Sequence, residues 1–289
     1  MPNILITGTS KGIGLETALT LARAGHIVYA TMRNPAAYPE LAQRAAHENL
    51  PIHISAMDVD NDTSVQSAIA RIQKEAGQID VLVNNAGIER NGAIEELPLA
   101  EIRAVMETNY FGAIKCIQAV LPPMRQRHSG VIINISSVAG KVSTSPLGPY
   151  AASKFALEAI TEALAQEVKP FNIRVAIVEP GIINTPMARS IEVIDPIGPY
   201  SRQARRFAHM FAATLQTNPT PPSLVAEKIL EIIATGTWQF RHPVGDAAAT
   251  FAWRASMSDE NYIALNAADD ETWYASLNPR VRNILSQKK

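Results

Sequence analysis

The chain has 289 residues, of which 47% are hydrophobic and 18% charged, an ordinary globular composition with enough apolar material for a sizeable core. Its 26 basic and 27 acidic side chains give a formal net charge of −1. The chain therefore lacks the excess of positive charge that is typical of proteins that bind nucleic acid or an anionic membrane. A single cysteine, Cys116, excludes an intrachain disulfide and is compatible with a reducing compartment. No metal site is expected.

The N-terminal residues do not resemble a targeting segment. Met1–Asn3 leads directly into the apolar run Ile4–Ile6 and a glycine turn, without a basic region or an apolar stretch long enough for export. No window of the sequence approaches the roughly 20 apolar residues of a membrane span. We therefore expect a cytoplasmic protein without a membrane span.

Short runs rich in β-branched residues predict seven strands. Most of them are continuously apolar, which is typical of strands buried on both faces of a parallel sheet. The predicted strands are Asn3–Thr7, Ile27–Thr31, Ile52–Met57, Val81–Asn84, Val131–Ile135, Arg174–Val178 and a weaker Trp238–Pro243.

Segments of helical period lie between these runs. They cover about Ile13–Ala24, Asp62–Gly77, Ala100–Arg127, Pro149–Lys169 and Leu224–Ala234. The alternation predicts an α/β fold: a doubly wound Rossmann-type domain with a mainly parallel seven-stranded sheet and right-handed crossovers. Because no linker-like change of composition interrupts it, residues 1–289 are interpreted as one domain. Cys116 falls on an apolar helix face and is expected in the core.

Two segments depart from this alternation. Residues 186–222 contain six prolines and apolar side chains such as Met187, Phe207, Met210 and Phe211. We predict this strip to be irregular and to form a substrate lid, because long segments of this kind are usually functional; packing of the same side chains onto their own domain is an equal alternative. Residues 245–289 form a C-terminal extension beyond the last predicted strand.

A glycine-containing turn follows the first predicted strand. Residues Thr7–Gly14 read Thr-Gly-Thr-Ser-Lys-Gly-Ile-Gly and open the first helix, an arrangement in which free N–H groups and the helix dipole can hold a pyrophosphate. The spacing differs from the standard Gly-x-Gly-x-x-Gly fingerprint, so an ordinary loop is the alternative.

The same turn also matches a hydrolase motif. Gly8–Gly12 has the Gly-x-Ser-x-Gly pattern of a nucleophile elbow, which needs an acid and a histidine downstream. None of the six histidines stands in a motif context, and an elbow on the first strand of a chain is unusual. We therefore disfavour a hydrolase.

Five further segments, in order along the chain, resemble the short-chain dehydrogenase/reductase family. The likeness covers about residues 4–185, and five short motifs in register are very unlikely to coincide by chance. The segments are Asn84–Gly87 after the fourth strand, Asn109 within a long helix, Ile135–Ser137 after the fifth strand, Tyr150–Lys154, and Pro180-Gly181 followed by Thr185.

The resemblance implies a catalytic tetrad. Tyr150 would be the general acid/base and Ser137 would hydrogen-bond the substrate oxygen, with Ser136 as a less well spaced candidate. Lys154 would hold the nicotinamide ribose and lower the tyrosine pKa, and Asn109 would anchor a water. Four residues of spacing place Tyr150 and Lys154 on one helix face with a rise of about 6 Å between them, although such a pair is also common on helix surfaces.

The resemblance also implies where a dinucleotide binds. Asp58 and Val59 would contact the adenine, with a loop or helix-capping role as the less favoured alternative for Asp58, and the segment after the sixth strand would surround the nicotinamide. The predicted cofactor-binding residues are Gly8, Ser10, Lys11, Gly12, Ile13, Gly14, Arg33, Asp58, Val59, Asn85, Ala86, Gly87, Tyr150, Lys154, Pro180, Gly181, Ile183 and Thr185.

The end of the second strand favours NADP(H) over NAD(H). An NAD enzyme usually has an acidic residue there, hydrogen-bonded to the ribose 2′-hydroxyl. Tyr29–Asn34 contains no carboxylate, whereas Arg33 can hold a 2′-phosphate and Lys11 adds a second positive charge. The alternative is that Arg33 is a solvated loop residue.

Within the family, Val28–Arg33 and Tyr150–Glu158 resemble the branch of 17β-hydroxysteroid and retinol dehydrogenases. That likeness implies a steroid-like, retinoid-like or other bulky apolar substrate, a small-molecule hydrophobic carbonyl or alcohol. The family also implies a homodimer or homotetramer built on the two long helices, Ala100–Arg127 and Pro149–Lys169. The competing hypothesis is a non-catalytic regulator that senses NADP(H); such proteins typically lose the tyrosine or lysine, and here all four tetrad positions are filled.

Overall fold

The structure, a computed structural model, describes residues 1–191, 198–217, 219–276 and 282. Seven strands form one sheet in which every neighbouring pair is parallel, in the order β3-β2-β1-β4-β5-β6-β7. The predicted doubly wound α/β fold is thereby confirmed. The strands are β1 Asn3–Thr7, β2 Ile27–Met32, β3 Ile52–Ala56, β4 Val81–Asn84, β5 Gly130–Ile135, β6 Ile173–Pro180 and β7 Arg241–Val244.

Helices cover both faces of the sheet. Those before the sixth strand are α1 Gly12–Arg23, α2 Glu40–His47, α3 Asp62–Ala76, α4 Leu99–Met106, α5 Gly112–Gln126 and α6 Gly148–Val168. Those after it are α7 Pro186–Arg189, α8 Ser201–Thr217, α9 Pro222–Thr235, α10 Ala247–Ala255, α11 Asp259–Ala267 and α12 Asp270–Ser276. In the part of the chain that the structure describes, no helix is both long and apolar enough to cross a membrane.

Alternate side chains of the buried strands pack into two apolar cores, one on each face of the sheet. Ile4 and Ile6 of β1 pack with α1 and α9, whereas Leu5 between them packs on the opposite face with α3, α5 and α6. Cys116 lies fully buried in the second core, as predicted, and burial raises the pKa of its thiol to about 12.

The long helix predicted over Ala100–Arg127 is interrupted. A π-helical turn, Glu107–Phe111, separates α4 from α5. Such turns are rare and occur frequently at functional sites. The turn contains Asn109, one of the predicted site residues.

Two other predictions need correction. The strip at 186–222 is not irregular throughout, because α7 and α8 occupy much of it; residues 192–197 and 218 of the strip lie outside the described residues. The seventh strand is Arg241–Val244, shifted from the predicted Trp238–Pro243. The C-terminal extension forms α10 to α12 in its described part, and residues 277–281 and 283–289 lie outside that part.

The sheet order reverses between β1 and β4. From β1 the chain proceeds outward through β2 and β3, and then returns to place β4 on the other side of β1. In open parallel sheets the crevice at the carboxyl ends of such strands is where ligands bind. The turns after β1 and β4 therefore lie at this crevice.

Candidate active site

A groove of about 800 Å³ lies at the carboxyl ends of the strands. All the predicted cofactor-binding residues line it except Pro180, Gly181 and Ile183, which line a neighbouring cavity. The structure thus brings together segments that are widely separated in the sequence, from the turn after β1 to the residues after β6.

The turn after β1 has a backbone that only small residues allow. Gly8 and Gly12 have φ angles of +71° and +61°. A Cβ atom on Gly14 would lie 2.3 Å from the carbonyl oxygen of Gly8, so the turn and the start of α1 are in direct contact. Because Lys11 makes no side-chain cap, the first N–H groups of α1 are available to an anion, and the turn fits a pyrophosphate.

Asn85 fixes the segment after β4 against this turn. Its Nδ2 donates hydrogen bonds of 2.9 Å to the carbonyl oxygens of both Thr7 and Gly8. In return, the Thr7 hydroxyl accepts from the backbone N–H groups of Asn85 and Ala86 at 3.0 Å. The two strands that flank the crevice are therefore joined at their ends.

Asn109, in the π-helical turn, holds the next residues in place. Its Oδ1 accepts from the Ile88 N–H at 2.8 Å, and its Nδ2 donates to the Ile88 carbonyl and to the Ser153 hydroxyl, both at 2.9 Å. Only 1% of Asn109 is exposed. The side chain thus connects α6 with the segment that follows Gly87.

Two serines follow β5. Ser137 lines the neighbouring cavity, and its hydrogen bond with Tyr150 tends to lower the tyrosine pKa. The Ser136 hydroxyl is buried and has no hydrogen-bond partner among the described residues. Ser137, and not Ser136, is therefore the serine hydrogen-bonded to Tyr150.

Tyr150 and Lys154 lie on α6 where the groove meets the neighbouring cavity. The Lys154 ammonium is 5.7 Å from the centroid of the Tyr150 ring and donates a 2.8 Å hydrogen bond to the Ile135 carbonyl. Burial lowers the pKa of Lys154 to about 8, against the opposing effect of Glu158 and Glu89.

The pKa of Tyr150 differs from the expectation. Burial raises it above its ordinary value, the nearby Glu89 carboxylate raises it further, and the bond with Ser137 only partly opposes this. The predicted lowering is therefore not found, because desolvation of the phenolate and its repulsion by the Glu89 carboxylate outweigh the hydrogen bond with Ser137.

Sequence reasoning missed Glu89. It lines both the groove and the neighbouring cavity, and burial raises the pKa of its carboxyl to about 6. The residue is the second after the Asn84–Gly87 motif, but nothing in the local sequence indicates that its side chain is enclosed.

The residues expected to select the cofactor lie at the groove's exposed side. Arg33 follows β2 directly, and both Arg33 and Lys11 are exposed and line the groove. Asp58 lines it too, but its Oδ1 accepts a 3.2 Å hydrogen bond from the Asp60 N–H, so it also has the loop role considered from the sequence. Val59 is 7% exposed.

The neighbouring cavity, hereafter the apolar cavity, has a volume of about 260 Å³. Aromatic and aliphatic side chains dominate its lining, from α7 and α8 as well as from the C-terminal helices. Among them are Val142, Leu147, Met187, Phe207, Met210, Phe211, Trp253, Leu265 and Trp273. Among the described residues no group of three or more His, Cys, Asp or Glu side chains is arranged to hold a metal ion.

Comparison with known proteins gives consistent matches. A profile of the family described as short chain dehydrogenase matches residues 2–193. The 3-ketodihydrosphingosine reductase of Bacteroides thetaiotaomicron is 39% identical over 249 residues, which cover 84% of this chain and 87% of that protein. Human retinol dehydrogenase 8 is 44% identical over 187 residues, which cover 63% of this chain and 59% of that protein.

Solved structures agree with these matches. A short-chain dehydrogenase from Streptomyces avermitilis has a TM-score of 0.78 at 30% identity and covers 92% of this chain and 98% of its own. A gluconate 5-dehydrogenase from Burkholderia cenocepacia, solved in complex with NADP and tartrate, has a TM-score of 0.73 at 27% identity. The match to it covers 86% of this chain and 95% of that one.

Proposed function

Since the chain belongs to the short-chain dehydrogenase family, we propose that it is an NADP(H)-dependent oxidoreductase that interconverts a hydrophobic alcohol and its ketone. The resemblances predicted from the sequence, to this family and to its retinol dehydrogenase branch, are confirmed. One observation carries the proposal: Ser137, Tyr150 and Lys154 meet where the dinucleotide-sized groove opens into the apolar cavity.

The groove suits a dinucleotide. Its glycine turn offers free N–H groups to a pyrophosphate. Gly14 is required there because a Cβ atom at this position would clash with the carbonyl oxygen of Gly8. The nicotinamide, when bound, supplies or accepts the hydride. Lys154 has two further ammonium protons beyond the one donated to Ile135, which can hold ribose hydroxyls.

The proton is handled by this chain's own side chains. In reduction, the Tyr150 hydroxyl donates its proton to the carbonyl oxygen, and the Ser137 hydroxyl hydrogen-bonds the same oxygen and fixes its position. The raised pKa keeps Tyr150 protonated at neutral pH, which suits the reducing direction. The Lys154 ammonium stabilises the phenolate left behind, and Asn109 holds the backbone beside it and would anchor a water.

Arg33 and Lys11 support the choice of NADP(H). Both cations are exposed at the rim of the groove beside the end of β2, where no carboxylate competes for a ribose 2′-hydroxyl. A guanidinium matches the geometry of a phosphate. One solved relative binds NADP according to its description, and another, at 22% identity, was solved with NAD.

The lining of the apolar cavity supports a hydrophobic substrate. Apolar side chains line most of a site that ends at Tyr150, which is the usual composition of a pocket for an apolar ligand. The names of two relatives specify retinol and 3-ketodihydrosphingosine. In this proposal the helices after β7 and the described parts of the strip, residues 186–191, 198–217 and 219–222, belong to the same domain as the groove and form the wall of the substrate site.

We also infer a homodimer or homotetramer built on the two long helical segments. Phe111 at the junction with α5 and Phe155 on α6 are 45% and 44% exposed. Burial of such side chains against a second copy would stabilise an assembly. Light scattering of the purified protein tests this directly.

The decisive experiment follows NADPH absorbance during a screen of hydrophobic ketones. We expect turnover by the wild type, and Tyr150→Phe should lower kcat by roughly 10²–10⁴-fold with NADPH binding retained. Tyr29→Phe is the matched control, because Tyr29 is a buried strand residue outside both cavities. Undiminished turnover by Tyr150→Phe would refute the mechanism, and tight NADPH binding without any turnover by the wild type would favour a sensor.

A further inference from the structure

Glu89 occupies the boundary between the groove and the apolar cavity, and it lines both of them. Its backbone is held in place, because Asn109 makes two hydrogen bonds with the preceding residue, Ile88. The carboxylate acts on the pKa of both Tyr150 and Lys154, so it lies close to the reacting groups. The carboxylate is therefore a fixed feature of the substrate end of the site.

One oxygen of this carboxylate is unsatisfied. Glu89 Oε1 is buried and has no hydrogen-bond partner among the residues that the structure describes. A side-chain hydrogen bond with Asn91 and the attraction of Lys154 only partly offset the burial, and the pKa of the carboxyl stays raised. A buried acceptor left unpaired costs free energy, so its presence in a binding cavity points to a partner supplied by the ligand.

The other polar groups of the apolar cavity do not supply that partner. Ser137 and Tyr150 are committed to the substrate oxygen. The Arg206 guanidinium is held by Asp270 at 2.7 Å and by the Ala268 carbonyl at 2.8 Å. Gln203 contributes a second buried oxygen without a hydrogen-bond partner among the described residues. Neither Arg206 nor Gln203 therefore donates a hydrogen bond to Glu89 Oε1.

We propose that Glu89 determines substrate specificity by accepting a hydrogen bond from an amine or hydroxyl of the substrate close to the reacting carbonyl. The proposal rests on the reductase function proposed above and names its substrate class: an apolar chain whose ketone carries a nearby hydrogen-bond donor. The donor lies close to the carbonyl because Glu89 and Tyr150 both line the groove and the apolar cavity, and the adjacent carbon is the position that the experiment below examines.

Three ketones with the same hydrocarbon chain test this: one unsubstituted, one with an α-hydroxyl and one with an α-amine. For the wild type with NADPH, we expect a higher kcat/KM for at least one substituted ketone. Glu89→Leu, which removes the acceptor and keeps the bulk, should lower the ratio of substituted to unsubstituted kcat/KM by roughly ten- to a hundredfold.

Glu89→Gln distinguishes the two donors and covers the case in which the leucine variant does not fold. An amide oxygen still accepts from a hydroxyl but has no charge for an ammonium. If Glu89→Gln loses the preference for the α-amino ketone only, the natural donor is an amine. If Glu89→Gln keeps the preference for the α-hydroxy ketone and Glu89→Leu loses it, the natural donor is a hydroxyl. Glu167→Gln, an exposed position on the same helix as Tyr150, is the matched control and should keep every ratio.

Two results would overturn the inference. If both Glu89 variants lower kcat/KM for all three ketones by one common factor, the carboxylate acts through Tyr150 and Lys154; if neither variant changes the ratios, it contacts no donor. Failure of the wild type to reduce any ketone would count against the proposed function instead. In that case the role of Glu89 is tested by binding. The dissociation constants of the corresponding long-chain alcohol, diol and amino alcohol are measured in the presence of NADP for the wild type and Glu89→Leu. If the variant leaves the ratios between these constants unchanged, Glu89 does not contact the donor.

Discussion

The Lys154 ammonium donates a 2.8 Å hydrogen bond to the carbonyl oxygen of Ile135, the last residue of β5. The bond connects the helix that carries Tyr150 to the end of a central strand, and it fixes the ammonium in a site where only 4% of the lysine is exposed. The bond thus holds the cation at a buried position, and it is burial that makes the charge costly, because desolvation disfavours an ammonium.

The lowered pKa of Lys154 predicts a pH dependence. Below its pKa of about 8 the side chain is charged, and above it the charge is lost, so kcat/KM for NADPH should fall as the pH rises through about 8. The Glu158 carboxylate raises that pKa, and Glu158→Gln should therefore move the falling limb to lower pH. The measurement is kcat/KM for NADPH at a series of pH values, with Glu167→Gln as the control. Coincident profiles for Glu158→Gln and the wild type would contradict the assignment to Lys154.

Arg33 predicts a change of cofactor preference. A charge-assisted hydrogen bond to a 2′-phosphate is lost in Arg33→Asp, and the new carboxylate can accept from a 2′-hydroxyl instead. We expect the ratio of kcat/KM for NADPH to that for NADH to fall by roughly ten- to a hundredfold. Arg71→Asp makes the same charge change at an exposed position of α3 and should leave the ratio unaltered. If this ratio fell equally in both variants, Arg33 would act only through the overall charge of the protein and not by contacting the 2′-phosphate.

The fold was predictable because its strands are locally distinctive. Continuous apolar runs such as Val81–Asn84 gave the observed bounds of β1 and β4, since burial on both faces removes any alternation. The glycine turn and the residues after β4 and β5 were then placed at one edge by the topology of a parallel sheet. The strand bounds and the motifs that follow the strands could thus be predicted because each is determined by a short contiguous segment.

The remainder depends on contacts between distant segments or on weaker signals. The prolines around 186–222 obscured α8, although Phe207, Met210, Phe211 and Thr214 recur at helical spacing in a proline-free stretch. Glu89 gave no local signal at all, because its enclosure results from the meeting of the β4 loop with α6. Burial also reversed the expected shift in the pKa of Tyr150, which depends on solvent access and not on spacing.

The raised pKa of Glu89 predicts a cost to stability. Its carboxyl binds a proton more tightly in the folded chain, where the pKa is about 6, than in the unfolded chain, where it is near 4.5. Stability is therefore lost as the pH rises from about 4.5 to about 6, and the full penalty, about 2 kcal/mol, applies above that range. Glu89→Gln should unfold at a higher temperature than the wild type at pH 8, with little difference near pH 4.

Thermal unfolding of the two proteins without added ligand, at both pH values, measures this effect. Glu167→Gln removes a carboxylate from an exposed site and serves as the control, for which we expect no pH-dependent difference. A destabilised Glu89→Gln at pH 8 would mean that the carboxylate is well compensated in the folded chain, and it would weaken the case for a partner supplied by the substrate.

Arg206 predicts how the C-terminal helices support the substrate site. This arginine of α8 is only 4% exposed, and its guanidinium binds Asp270 at 2.7 Å and the Ala268 carbonyl at 2.8 Å while lying 5.0 Å from the centroid of the Trp273 ring. These contacts attach the segment between α11 and α12 to a helix that lines the apolar cavity. Removing the guanidinium breaks its hydrogen bonds to the Asp270 carboxylate and the Ala268 carbonyl at a buried position of α8, so Arg206→Met should lower the free energy of unfolding by about 2 kcal/mol.

The same variant should raise KM for a bulky ketone more than it lowers kcat, because Trp273 and Leu265 line the cavity, whereas Tyr150 and Ser137 are attached to other elements. Denaturant unfolding and steady-state kinetics with one bulky and one small ketone provide the two measurements. Arg202→Met is the matched control, since Arg202 is exposed and its hydrogen bond to the Ala268 carbonyl is long, at 3.5 Å. If Arg206→Met lowers kcat for both ketones and leaves KM unchanged, the C-terminal helices act on the reacting groups and do not form the wall that selects the substrate.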